Sequence, residues 1–105
     1  MVKVRVKRNH SMVEEIQISG HAGYANAGED LVCAGVSSIA VGMMNALDKL
    51  VNNTCLFEME SAYIKVFVVK QESEETQLLL EAFLIQLQTL QESYKEYINI
   101  FDQEV

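Results

Sequence analysis

The sequence predicts an α+β fold: a two-layer sandwich in β-β-α-β-β-α order, with two helices packed on a four-stranded, mostly antiparallel sheet. Three observations lead there. The opening residues V-K-V-R-V-K alternate apolar and charged side chains with period two, as a half-buried strand does. Two longer stretches, one from Asp30 to about Val51 and one from Ser73 to about Phe101, repeat apolar residues three and four apart. Between them, two short apolar runs are separated by Ser61-Ala62 alone, the mark of a hairpin. A chain of 105 residues supports one domain, spanning 1–105.

Taken in order, the first strand is Val2–Lys7, with Val2, Val4 and Val6 set against Lys3, Arg5 and Lys7. Arg8–Met12 turns the chain, and Val13–Ser19 forms a second strand with Ile16 and Ile18 on one face. The first helix offers Val32, Val36, Ile39, Ala40, Met43 and Leu50 as its apolar side, and Asn52-Asn53 ends it. In the third strand, Thr54–Glu60, Cys55, Phe57 and Met59 point one way and Glu58 and Glu60 the other. Tyr63–Val69 is apolar on both faces, which predicts a central strand. Ser73 before Glu74 and Glu75 starts the last helix, carried by Leu80, Phe83, Leu87, Leu90, Tyr94, Tyr97 and Phe101. Leu78, Leu79, Leu84 and Ile85 make its first half apolar nearly all round. That excess predicts a homodimer through this helix or the neighbouring sheet edge.

Half the residues are apolar, as in an ordinary globular protein, and the formal charge is −7. That charge argues against nucleic acid as a direct partner and leaves room for a basic protein. Lys3, Arg5, Lys7 and Arg8 crowd one strand and read as its solvated outer face. The N-terminal residues lack a signal peptide's apolar region, and no apolar run approaches membrane-spanning length, so no membrane partner is expected. A cytoplasmic location follows, with Cys33 and Cys55 as reduced thiols.

The segment from Gly20 to Ser38, G-H-A-G-Y-A-N-A-G-E-D-L-V-C-A-G-V-S-S, carries the chemistry. His21 and Cys33 sit near its two ends. Gly20, Gly23 and Gly28 let the loop bend, and Tyr24 is its one large side chain, so a flexible loop is expected until substrate orders it. Asp30 fits an N-cap that accepts the N–H of Val32 or Cys33, which puts Cys33 in the first helical turn. A thiol there faces the positive end of the helix dipole, which favours the thiolate. Ser37, one turn on, shares its face. Thiol catalysis needs a thiolate, a proton donor and donors for an oxyanion. Cys33, His21 and the first-turn N–H groups are the candidates. Cys55, in register with Phe57 and Met59, reads as packing, and His10 as a turn residue. Glu29 and Asp30 stand where a phosphate loop needs Lys and Ser or Thr. The histidines and cysteines match no zinc spacing, so neither metal nor cofactor is expected.

At these residues the chain resembles the Prp family, the bacterial ribosomal-processing cysteine proteases. The matching core is Gly20-His21-Ala22-Gly23-Tyr24, Gly28, Asp30-Leu31-Val32-Cys33-Ala34-Gly35 and Ser37. The likeness continues through the early hairpin, the helix with its Asn45, the second hairpin and L-Q-T-L-Q-E-S-Y-K-E-Y. Leu31 departs from it, where the family often has Ile. The resemblance implies removal of a short N-terminal extension from a large-subunit ribosomal protein, a Cys–His pair and a homodimer. Carried across, His21 and Cys33 are the catalytic pair and Asp30 and Ser37 support them. The residues by themselves reach only a candidate thiol nucleophile. A non-catalytic ribosome-associated binding module with a structural Cys33, and a small metal-binding protein, stay open as rivals.

Overall fold

The computed structural model describes residues 1–21, 23 and 30–104. Strands β1 (Val2–Asn9) and β2 (Met12–Ser19) form a hairpin and lead to helix α1 (Leu31–Leu50). A second hairpin, β3 (Cys55–Glu60) and β4 (Tyr63–Val68), leads to α2 (Glu74–Ser93) and a last strand, β5 (Ile98–Glu104). The strand order in the sheet is β3-β4-β2-β1-β5, antiparallel throughout except for the parallel pair β1 and β5.

The fold class is the expected one, with one strand more. The last helix stops at Ser93 instead of continuing to Phe101. Tyr94 and Tyr97 keep the apolar spacing going, but they lie in tight turns, with Tyr94 N–H donating to Gln91 and Tyr97 N–H to Tyr94. Beyond them, Ile98 and Ile100 are β-branched and two apart, and they complete the sheet beside Val2 and Val4. The interior strand β4 lies between β3 and β2, and β2 takes the centre.

The core lies between one sheet face and the helices. Val4, Val6, Ile16, Ile18, Ile64, Val66 and Ile98 meet Val32, Val36, Ala40 and Leu47 of α1, and Leu80, Phe83, Leu84 and Leu87 of α2. The helices run antiparallel, since Gly35 packs against Leu90 while Gln86 Nε2 reaches Met43. A Cβ at Gly35 would come within 3.1 Å of Leu90, so glycine there lets the helices approach. Contrary to the sequence expectation, α1 is long and apolar enough to cross a membrane by length and composition. Its stripe of Val32, Val36, Ala40, Met44 and Leu47 is spent on the sheet, as in a core helix.

Two further expectations are corrected. Arg8 follows Val6 in the alternation and so faces the helices, away from Lys3, Arg5 and Lys7. There it donates to Glu81 of α2 at 2.6 and 2.9 Å, to Asp102 of β5 at 2.7 and 3.0 Å, and to the Ser11 carbonyl at 3.0 Å. These acceptors stabilise the guanidinium and raise its pKa above the ordinary value. On β3, Cys55 packs partly against the core, but Phe57 and Met59 stay exposed, Met59 by 57%. The strand is at the sheet edge, and a groove between it and α1 leaves them uncovered.

Candidate active site

The end of β2 and the start of α1 converge on one hollow. Gly20 closes β2 in left-handed geometry, φ +91°, and its N–H donates to Ala62 at 3.0 Å in the turn between β3 and β4. A side chain there would run into the Met1 carbonyl, so both the conformation and the space require glycine. The Met1 amine donates to the carbonyl of His21, tying the backbone of this residue to the start of β1 while its side chain stays accessible.

Asp30 caps α1 from an extended conformation. Its Oδ1 accepts both the Val32 and Cys33 N–H groups at 3.0 Å, and its carbonyl accepts the Ala34 N–H at 3.1 Å. The first helical turn, and Cys33 with it, is thereby fixed. The same bonds correct the sequence reading of the oxyanion donors: the amides of Val32 and Cys33 are engaged by the Asp30 carboxylate.

Cys33 is half-buried and lines a cavity of about 300 Å³ together with His21, Ser37, Val41, Met59 and Tyr63. The structure thus brings His21, Cys33 and Ser37 to one hollow, while Asp30 acts on the helix start. Gly20 lines the hollow too, and Gly23 adopts φ +71°, which suits glycine. Tyr24 and Gly28, with most of the loop expected to be flexible, lie outside the described residues.

The far wall was missed by sequence reasoning. Met59, Ala62 and Tyr63 enter from the second hairpin, more than 25 residues from Cys33 in sequence. Ala62 adopts φ +56°, and the Tyr63 hydroxyl accepts a 2.9 Å bond from Gln17 Nε2. The available signal was the apolar surplus of an edge strand. Cys55 stands apart from this cavity: burial pushes its thiol pKa up, against a smaller opposite effect of the Thr54 hydroxyl. It is held as a neutral thiol.

Residues 1–99 match the cysteine protease Prp family. The ribosomal processing cysteine protease Prp of Staphylococcus aureus is 30% identical over 103 residues, covering 95% of this chain and 97% of that protein. The Bacillus subtilis protein of the same name is 28% identical, covering 95% of this chain and 96% of its own length. Among solved structures, S. aureus Prp with a covalently linked product peptide superposes with a TM-score of 0.93 at 29% identity, covering 98% of this chain and all of that one. A Streptococcus mutans protein gives 0.87 at 30% identity, covering 100% of this chain and 96% of that one. A match over nearly the whole sequence, with a thiol and an imidazole at one cavity, leads to one conclusion: this chain belongs to the Prp family of cysteine proteases.

Proposed function

We propose that the chain is a cytoplasmic endopeptidase that removes the N-terminal extension of a large-subunit ribosomal-protein precursor, using Cys33 and His21 as a catalytic dyad. Cys33 attacks the scissile carbonyl as thiolate, its proton passing to His21. The imidazolium then protonates the leaving amine, and water releases the acyl-enzyme. The observation that carries the reading is the meeting of these two residues, twelve apart in sequence, His21 just beyond β2 and Cys33 on α1, at one cavity. Asp30 supports catalysis by holding the turn that presents Cys33, and Ser37 offers a hydroxyl one turn further along the same wall.

The S. aureus relatives support the substrate class: their solved complexes hold a covalently linked product peptide and a substrate peptide. The net charge of −7 suits a basic ribosomal protein as substrate, and makes nucleic acid a poor direct partner. A thiol nucleophile favours a reducing compartment, hence the cytoplasm, and the core packing of α1 favours no membrane partner. Leu78 and Ile85, 71% and 59% exposed on α2, support a homodimer.

Incubating the purified chain with the full-length precursor and reading product masses tests the proposal. The parent releases the extension; Cys33→Ala and His21→Ala release none; Cys55→Ala retains most activity. Undiminished cleavage by Cys33→Ala overturns the assignment.

A further inference from the structure

Both helices pack on one face of the sheet; among the described residues no element covers the other. Alternation puts Lys3, Arg5 and Lys7 of β1 on that open face, beside Asn99, Phe101 and Gln103 of β5. The carboxylates of β5 turn the opposite way, where Asp102 accepts from Arg8 and Glu104 from the Ser11 N–H. This half of the face therefore gathers three cations from β1 and no acid from either strand. On neighbouring β2, Glu15 is held between Lys7 at 3.6 Å and Lys65 at 3.4 Å. Lys3 and Arg5 have no carboxylate partner among the described residues.

We infer that this half-face binds a short single strand of nucleic acid, its phosphates on Lys3, Arg5 and Lys7 and a base stacked on Phe101. The inference stands apart from the protease reading, since the Cys33 cavity lies against α1. Phe101 is 41% exposed, and the Arg5 guanidinium sits over its ring, 5.9 Å from the centroid. An open sheet that presents an aromatic ring beside a planar cation is a platform on which any base can stack. From Phe101 one register row crosses the sheet through Arg5 and Gln17 to Lys65. Phe67, 38% exposed, follows Lys65 on the same face of β4. The two rings are three strand spacings apart, about 14 Å, with cations between them.

An acidic peptide is the weaker occupant, because it would use the cations alone and leave both rings idle. The net charge of −7 opposes nucleic acid at long range. At physiological salt that field is screened beyond about 8 Å, so contact is decided by the charges on this face. Three cations imply weak binding with a shallow salt dependence. At about 0.7 per phosphate of a single strand, log affinity falls against log salt with a slope of about −2.

The test titrates the full chain into a fluorescein-labelled oligouridine of ten nucleotides and reads anisotropy at low salt. The parent binds saturably, with a salt slope of about −2. Arg5→Glu weakens binding at least tenfold. Arg5→Gln, the milder change, weakens it less and flattens the slope by about 0.7, with circular dichroism unchanged. Lys49→Glu, at the far end of α1, alters net charge as much as Arg5→Glu and leaves binding within about twofold. Phe101→Ala weakens binding without changing the slope, and Phe101→Tyr retains it. No saturable binding by the parent, equal losses from Arg5→Glu and Lys49→Glu, or no loss from Phe101→Ala overturns the inference. So does displacement of the oligomer by polyglutamate as readily as by unlabelled oligouridine, which assigns the face to an acidic protein. A change of oligomeric state in Arg5→Glu with oligouridine binding intact overturns it too, and assigns the face to a second copy.

Discussion

Asp30 shows how much one side chain determines here. A single carboxylate oxygen holds the amides of Val32 and Cys33, so the residue that caps the helix also fixes the backbone of Cys33. Asp30→Ala should cost about 1 kcal/mol in urea unfolding, the usual loss of an N-cap, and should reduce cleavage as well. Asp30→Asn keeps an acceptor oxygen and should recover the stability. Cys55 makes a contrasting case. Its pKa is raised in the folded chain, so folding favours the neutral thiol. That contribution is fully present below the ordinary cysteine pKa and is lost as pH rises through the raised value. In a Cys33→Ala background, alkylation of Cys55 should therefore show a midpoint above that of free cysteine; a midpoint at or below it contradicts the burial argument. His21, Cys33 and Asp30 were legible because glycine punctuation and a cap are local signals. Met59 and Tyr63 were not, because only strand pairing brings the second hairpin to the cavity.

Among the elements, β5 is the clearest case of tertiary context overruling a local pattern. The three- and four-residue spacing that built α2 runs on through Tyr94, Tyr97 and Phe101, yet the chain turns at Tyr94 because β1 offers an open edge. Arg8 binds these elements together, joining β1 to α2 through Glu81 and to β5 through Asp102. Because Glu81 and Asp102 keep a third or more of their surface exposed, solvent screening reduces what the pairs contribute. Arg8→Ala should cost about 1–2 kcal/mol by chemical denaturation, since it also strands two carboxylates. Arg8→Lys should recover only part of it, because an ammonium cannot fork to both partners. Equal stability of Arg8→Ala and the parent would show the network to be energetically idle.

For the whole molecule, the two-layer architecture was readable from periodicity, since each apolar stripe has one sheet face to meet. The number of strands was not, and neither was the exposed side of β3, because coverage depends on where α1 lies across the sheet. The surplus on α2 was legible. Leu80, Phe83, Leu84 and Leu87 go into the core, and Leu78 and Ile85 remain outside. Ile85→Glu should shift light scattering at micromolar concentration from dimer to monomer with little change in folding stability. A monomeric parent would exclude this helix as an interface.

The parallel pairing of β1 with β5 gives this enzyme a schedule. Val2 pairs with Ile98, nearly the full length of the sheet-forming chain apart, and Val2 N–H donates to Tyr97. During translation, β1 and β2 emerge early and can form their hairpin, but one edge of β1 stays open until residues 98–104 leave the ribosome. The Met1 carbonyl and amine that bracket Gly20 and His21 are anchored at that same end of β1. The hollow holding Cys33 therefore gains its last support only when synthesis has passed residues 98–104. A protease assembled in that order completes this hollow only after its own chain has folded.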